Sequence, residues 1–311
     1  MSESTNFDEL IAQVMRELSA AGLIRPQAQP VTQAPPAAAP VPRGRRTGGE
    51  VSIDLADPTS AQVRAQSGID QPIDSEGVQA LMSVTPARIG AGRAGPRPRT
   101  AALNRFTADA AVTQDALWRD VSPALLEQEG LFSVQTRITG GKEEYLLRPD
   151  LGRQLSDSAR ETIRQRCQPG ASIQVCVGDG LSAAAIEANL AKILPVIQSG
   201  AQSAGLSFGT PFFIQYCRVG VMNDIGDLLK PEVLLLLIGE RPGLGRADSM
   251  SVYMGYRPQS GHNDADRDVI CNIYDSGGTN PLEAGAYAVQ LAQKMIKAGA
   301  SGVKLKLQEG G

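Results

Sequence analysis

The sequence has no hydrophobic run long enough to cross a bilayer. Hydrophobic residues make up 42% of its 311 residues. No apolar stretch approaches the roughly 18 consecutive residues that a membrane span requires. The amino terminus also lacks the apolar segment and cleavage site of a secretory signal. These absences predict a cytoplasmic protein with no membrane partner.

Cysteines and aromatic residues are also scarce. The four cysteines include no C-x-x-C pair, which argues against a zinc site or a disulfide framework. We predict that all four thiols are reduced and buried: Cys167, Cys176, Cys217 and Cys271. Aromatic residues form 4% of the chain and the net charge is -3. Without a basic stripe or stacking platforms, nucleic-acid binding is not expected.

The chain has few groups suited to acid-base or nucleophilic catalysis. Its only histidine, His262, lies in a polar loop and is interpreted as a solvated residue. The sequence contains no G-x-S-x-G, H-E-x-x-H or P-loop motif. We therefore assign no catalytic or metal-ligating residue, and the sequence favours a binding or partner subunit over a complete enzyme.

The spacing of apolar residues within the amino-terminal residues 1–24 predicts an amphipathic helix. Its apolar residues form one stripe at helical spacing: Phe7, Leu10, Ile11, Val14, Met15 and Leu18. Residues 25–73 are rich in proline, alanine and polar residues, which predicts an extended linker. A helix on a tether has no core of its own to cover the stripe. We expect it to dock onto a partner, the alternative being that it folds back onto the body.

The remaining chain is predicted to be an α/β fold. Residues 74–150 are predicted to be mainly helical, residues 151–303 alternate between strand and helix, and residues 304–311 form a tail. Five strands are expected, at 173–177, 211–216, 233–238, 251–256 and 269–274. The alternation predicts a Rossmann-like, doubly wound, mostly parallel sheet, preceded by a helical part and by a tethered, disordered helix.

One apolar run ends abruptly in charge. Val233 to Ile238 is wholly apolar and is followed by Gly239, Glu240 and Arg241. Such a run predicts a strand buried on both faces, and ligands of parallel sheets bind beyond the carboxyl ends of the strands. Glu240 is therefore placed at the functional edge.

Two further polar turns follow other strands. Residues 178–182 and 275–279 should converge on the edge that carries Glu240, because they follow strands of the same sheet. Backbone N–H groups at the first turn could bind an anion. The simpler interpretation, which we favour, is a tight turn in which Ser182 caps the next helix.

A glycine-rich segment precedes the sheet. Residues 90–95 match G-x-G-x-x-G, but Pro96 and Pro98 prevent a helix from starting directly afterwards, so a dinucleotide site is not favoured. The segment brings together four arginines: Arg88, Arg93, Arg97 and Arg99. They could bind phosphates or carboxylates, or could be solvated or paired with acids at a subunit contact.

Taken in order, five segments resemble the small subunit of ethanolamine ammonia-lyase: Gly92–Thr100, Leu147–Arg153, Gly178–Ser182, Gly209–Phe213 and Gly239–Gly245. The resemblance implies an adenosylcobalamin-dependent lyase that converts ethanolamine to acetaldehyde and ammonia by a radical mechanism. It also implies that this chain is active only with a large subunit, and that the cobalamin lies between the two in a higher hetero-oligomer.

The resemblance also implies cofactor contacts. They fall on Val219, on Glu240, and on a strand at either Val269 or Cys271. The family often carries cysteine at the position of Val269, whereas here the cysteine lies two residues further on. Side chains two apart on a strand share a face, so either residue could line the site.

Two further expectations concern the cofactor and the cellular location. His262 lacks the flanking residues of a D-x-H-x-x-G motif, so the cofactor's own dimethylbenzimidazole is expected to stay on cobalt. Residues 1–24 resemble peptides that direct enzymes into protein-shelled bacterial microcompartments. The alternatives to a lyase subunit are a nucleotide-binding oxidoreductase built on the glycine-rich segment and a scaffold that only organises the shell.

Overall fold

The computed structural model of the chain describes residues 61–309, apart from 86, 244, 245 and 276. The chain divides into two units, residues 1–63 and residues 64–311. The predicted helix within residues 1–24 and most of the predicted linker lie outside the described residues.

The helices of the described part are α1 (Ala61–Arg64), α2 (Ser75–Ser83), α3 (Thr100–Trp118), α4 (Pro123–Gln128), α5 (Gly141–Leu147), α6 (Asp157–Arg166), α7 (Ala183–Ser203), α8 (Val221–Leu229), α9 (Pro281–Ala298) and α10 (Val303–Glu309). Single 3-10 turns occupy Leu151–Arg153 and Asp264–Asp266. Within this part of the chain, no helix combines the length and apolar character needed to span a membrane.

The strands are β1 (Arg93–Ala94), β2 (Arg97–Pro98), β3 (Phe132–Gln135), β4 (Ile173–Gly178), β5 (Phe212–Gln215), β6 (Val233–Gly239), β7 (Met250–Tyr256) and β8 (Arg267–Ile273). The first two form a small antiparallel hairpin, and the others form one six-stranded sheet in the order β3-β5-β4-β6-β7-β8.

Most of the large sheet is parallel. Strands β3, β5, β4 and β6 pair in parallel, whereas β6, β7 and β8 pair antiparallel. Strand β7 alone runs the other way, so β8 points in the same direction as β6. The predicted mostly parallel α/β sheet is confirmed. The chain moves outward from β4 to β5 and then returns to the other side at β6, so the strand order reverses between β4 and β6.

Both faces of the central strands are covered by helices. One face, the α7–α9 face, buries alternate residues of β6, and the opposite α6–α8 face buries the residues between them. Every residue of β4 and β6 is buried. Double-sided burial explains why β6 is apolar throughout rather than alternating.

The cover on the α6–α8 face ends at β6. The core of this face draws its strand residues from β3, β5, β4 and β6, and Tyr253 of β7 packs against it only in part. On the edge strand β8, the Val269 residue is 49% exposed and Cys271 is also exposed. As far as the described residues go, a stretch of sheet face beside these helices is thus open.

The five predicted strands agree with the observed ones within one or two residues, and the structure adds the hairpin strands β1 and β2, strand β3 and helix α10. Strand β3 lies within residues predicted to be mainly helical, because four residues are too few to show a period. Helix α10 occupies the predicted tail, where Leu305 joins the core of the α7–α9 face.

The thiols differ from the prediction at one position. Cys167, Cys176 and Cys217 are buried in the core of the α6–α8 face. Burial raises the pKa of Cys176 and of Cys217 well above its ordinary value, and raises the pKa of Cys167 to about 11. The prediction that all four thiols are buried was wrong for Cys271, because no helix among the described residues covers its face of β8.

We predict that a thiol reagent modifies one cysteine of the native chain at neutral pH. Cys271 should react because it is exposed, whereas the other three thiols are inaccessible and strongly protonated, and the thiolate is the reactive species. Intact-mass measurement after alkylation checks this, and the Cys271→Ser variant should take up no label until it is unfolded. Rapid labelling of Cys176 or Cys217 in the folded chain would contradict the burial described here.

Candidate functional site

The polar turns converge on one edge of the sheet, as predicted. Gly239 at the end of β6 lies opposite Met250 at the start of β7, and Met250 lies opposite Ile273 at the end of β8. The carboxyl end of β4 is at the same edge, because β4 runs parallel to β6. This edge includes the point where the strand order reverses, which is the usual ligand site of open α/β sheets.

The turn after β4 fills the space at the reversal point. The Leu181 N–H donates to the Gly239 carbonyl oxygen at 3.1 Å. The Ser182 hydroxyl accepts from the Ala185 N–H at 3.3 Å. A Cβ on Gly239 would lie 2.1 Å from the Ser182 carbonyl oxygen. The interpretation as a tight turn with a helix cap is confirmed. The first residue at this edge that could contact a ligand is the one after Gly239, Glu240.

Three donors orient the Glu240 carboxylate. The Ser249 hydroxyl donates to Oε2 at 2.5 Å, the Ser251 hydroxyl donates to Oε1, and the Asn272 backbone N–H donates to Oε1 at 3.2 Å. The Glu240 N–H is itself bonded to the Ser249 carbonyl oxygen at 3.0 Å. Glu240 is therefore a fixed, partly buried acceptor rather than a mobile surface side chain.

A β-bulge brings the third donor to Glu240. Strand β8 places two residues, Cys271 and Asn272, opposite the single Ser251 of β7. Asn272 has a left-handed backbone with φ 56. Asparagine is one of the few residues that tolerate this conformation, and bulges commonly redirect groups beside functional sites. Sequence reasoning missed Asn272 because a bulge leaves no periodic signal.

The structure places the four predicted cofactor residues on one side of the sheet. Val219 follows β5 and packs against the core of the α6–α8 face. Val269 pairs with Tyr253 on β7, and Cys271 lies two residues further along β8. Val269 and Cys271 are both exposed there. The expectation that they share a face agrees with the burial pattern of β8, in which the intervening Ile270 packs against the opposite core.

Tyr253 is a further residue of this face that sequence reasoning did not identify. Its ring is partly buried between β6 and β8. Burial raises the pKa of the Tyr253 hydroxyl, and the nearby Glu240 carboxylate raises it further. Tyr253 is thus a neutral hydroxyl at physiological pH, able to donate a hydrogen bond next to an anionic acceptor.

The loop after Glu240 is anchored at several points. The Arg246 guanidinium lies 4.1 Å from the centroid of the Tyr274 ring and forms an ion pair with Asp248 at 3.2 Å. The Thr113 hydroxyl of α3 donates to the Gly243 carbonyl oxygen at 2.9 Å. These contacts connect α3, the Glu240 loop and the end of β8 at a single edge.

A buried ion pair holds the turn that carries Val219. The Asp179 carboxylate, whose side chain is 1% exposed, lies 3.4 Å from the Lys142 Nζ. It accepts from the N–H groups of Tyr216 at 2.9 Å and Cys217 at 2.8 Å, and Tyr216 is left-handed with φ 57. Burial raises the pKa of Asp179, while Lys142 and the two N–H groups oppose that rise.

We predict that Lys142→Met lowers the free energy of unfolding by about 3–5 kcal/mol, because it leaves the buried Asp179 charge without its cation. Lys192→Met is the matched control, because Lys192 pairs with Asp275 at the surface with side chains 41% and 56% exposed. A pair of that kind contributes at most about 1 kcal/mol. Urea unfolding of both variants checks the difference, and equal midpoints would show that the buried pair has no special role.

The arginine-rich segment is a hairpin rather than a dinucleotide loop. Residues 90–95 lead into β1 and β2, and α3 begins only at Thr100. Two of the arginines are paired within the chain: Arg88 with Asp109 at 2.6 Å, and Arg99 with Asp70. Arg93 and Arg97 are exposed on the hairpin. Two of the four arginines therefore pair with acids, and both acids belong to the same chain.

Together, the sheet and its edge define an α/β protein in which a fixed carboxylate lies beside an open, partly apolar sheet face. Residues 75–306 match the family described as ethanolamine ammonia-lyase light chain (EutC), and the chain belongs to this family. The ethanolamine ammonia-lyase small subunit of Listeria monocytogenes is 44% identical over 252 residues, which cover 81% of this chain and 85% of the relative. The small subunit of Clostridium perfringens is 43% identical over the same length and coverage. The resemblance found in the sequence is confirmed.

Proposed function

We propose that this chain is the small subunit of an adenosylcobalamin-dependent ethanolamine ammonia-lyase and encloses the cofactor at its interface with the large subunit. The proposal rests mainly on the part of the α6–α8 face that no described helix covers. There, Val269 and Cys271 are exposed on the strand whose Asn272 N–H donates to the fixed Glu240. A face that combines a fixed hydrogen-bond acceptor with exposed apolar surface suits a subunit that holds a cofactor for chemistry shared with a partner.

The residues of this face fit a corrinoid. A corrin ring is broad and amphipathic, with amide groups at its rim, so it needs an apolar wall and hydrogen-bond acceptors. Val269, at 49% exposed, offers such a wall. A carboxylate has about four acceptor positions, and Ser249, Ser251 and Asn272 occupy three on Glu240. The remaining position is available to an amide N–H of a ligand.

In this proposal each residue has a limited task. Adenosylcobalamin, when bound, supplies radical chemistry that side chains cannot provide. Glu240 orients the ligand through a hydrogen bond, and Val219, Val269 and Cys271 exclude water from its surface. The Asp179–Lys142 pair fixes the turn that leads to Val219.

The location of His262 supports the expectation that the cofactor's dimethylbenzimidazole stays on cobalt. His262 lies between the end of β7 and the start of β8, at the sheet edge opposite Glu240. Its carbonyl oxygen accepts from the Asn223 side-chain amide at 2.8 Å. We also propose that the sheet is Rossmann-like and doubly wound, because helices cover both of its faces and the strand order reverses.

The proposal includes a targeting role for the amino-terminal segment. The apolar stripe in residues 1–24 suits docking to a shell protein, which would place the enzyme in the cytoplasm inside a bacterial microcompartment. Its support is the sequence pattern, since these residues lie outside the described part of the structure.

We predict that Glu240→Gln weakens corrinoid binding by the two-chain complex about 10- to 100-fold, because a charged hydrogen-bond acceptor is lost. Retained corrinoid absorbance after gel filtration measures binding, and acetaldehyde release from ethanolamine measures activity. Glu283→Gln on the exposed side of α9 is the matched control and should bind as wild type. A Glu240→Gln complex with unchanged affinity would remove Glu240 from the site.

A fusion of residues 1–24 to a fluorescent protein is expected to form puncta in cells that make microcompartment shells. The matched control is the same fusion with Leu10→Glu and Val14→Glu, which place charge on the apolar stripe and should give diffuse fluorescence. Diffuse fluorescence from the unchanged sequence would refute the targeting role without affecting the lyase proposal.

A further inference from the structure

The segment of residues 69–118, here called the arm, exposes much of its apolar surface. Thirteen large hydrophobic side chains are exposed in the described part of the chain, and seven of them lie in the arm: Ile69, Ile73, Leu81, Val84, Ile89, Leu103 and Trp118. Helix α2 buries no residue, and the 19 residues of α3 bury only Ala102, Asp109 and Ala116. So many exposed large apolar side chains within one segment favour an interaction site.

Within the described residues, helix α2 of the arm also lacks the packing that would stabilise it. Helix α2 has nine residues, and an isolated helix shorter than about 12 residues is marginal in water. Its amino-terminal cap, in which Asp74 accepts from the Gly77 N–H at 2.7 Å, contributes only about 1 kcal/mol. Stable helical structure here therefore calls for a covering surface.

We propose that the arm is a docking surface for the large-subunit partner, an inference that rests on the proposed function. Helix α3 is joined to the functional edge, because the Thr113 hydroxyl donates to the Gly243 carbonyl oxygen in the loop that follows Glu240. The arm thus continues outward from the edge at which the cofactor would be shared. A partner seated over that edge would cover both surfaces together.

The charge of the arm and the extent of the family match both support the large subunit as its partner. Arg93 and Arg97 project from the exposed hairpin between α2 and α3. A complementary surface would have an apolar centre with carboxylates placed to meet these guanidinium groups. The family match begins at residue 75 and so includes most of the arm. The arm therefore belongs to the lyase subunit itself rather than to the segment proposed to bind the shell.

The test uses the full chain with the large subunit and compares Leu81→Glu with Leu307→Glu. Leu81 in α2 is 59% exposed and Leu307 in α10 is 72% exposed, so neither change should alter the melting temperature of the free chain. We expect Leu81→Glu to weaken assembly at least tenfold in sedimentation titrations, while Leu307→Glu assembles as wild type. Equal assembly of the two variants would overturn the arm proposal and leave the cofactor proposal standing. Failure of the wild type to assemble would overturn both.

A second measurement separates the partner from self-association. Trp118 is the only tryptophan of the chain and is 50% exposed, so 5-fluorotryptophan incorporated into this subunit gives a single fluorine resonance. That resonance should shift when the large subunit is added, and should not depend on the concentration of the free chain. A shift that appears on concentrating the free chain, and that Leu81→Glu abolishes, would instead assign the arm to a second copy and overturn the proposal.

Discussion

Burial of β6 on both faces is the constraint on which the rest of this structure depends. With helices on either side, none of its seven residues can carry charge without a buried partner. Charged side chains are therefore confined to the end of the strand, and Glu240 is the first position where a carboxylate can be solvated and hydrogen-bonded. The close contact between Gly239 and the turn after β4 fixes the backbone position from which the Glu240 side chain extends.

The fixed position of Glu240 has consequences for its neighbours. Ser249, just before β7, and Ser251 within it supply two hydroxyls, and the bulge of β8 supplies the Asn272 N–H. The bulge lies on the strand that has no cover on the α6–α8 face. A rigid acceptor is thus combined with an open sheet face, an arrangement that can bind a large ligand but needs a second surface to enclose it.

Much of the fold could be predicted from the sequence, because long strands buried on both faces and well-capped helices leave strong local signals. Helix α9 shows this: the Asn280 side chain accepts from the Leu282 N–H, and Gly299 ends the helix with φ 63. Strand β3 was missed because four residues carry no period. The antiparallel direction of β7 was not predicted either, because strand direction depends on which neighbour is paired.

The functional edge was predictable only in outline. The apolar run that ends in charge identified Glu240, and the family resemblance added Val219, Val269 and Cys271. The partners of Glu240 and the Asp179–Lys142 pair join residues that are distant in sequence, so no local pattern announces them. The exposed arm was also not identified, because its spacing is that of an ordinary amphipathic helix and only the folded chain reveals that no other described segment covers it.

The most direct test of the account is a structure of this chain with the large subunit and adenosylcobalamin, determined by electron cryomicroscopy. The account predicts corrinoid density against the open α6–α8 face, within contact distance of Glu240 and of the exposed side chains of β8. Corrinoid density enclosed wholly by the large subunit, or located at another surface of this chain such as the free edge of β3, would contradict it.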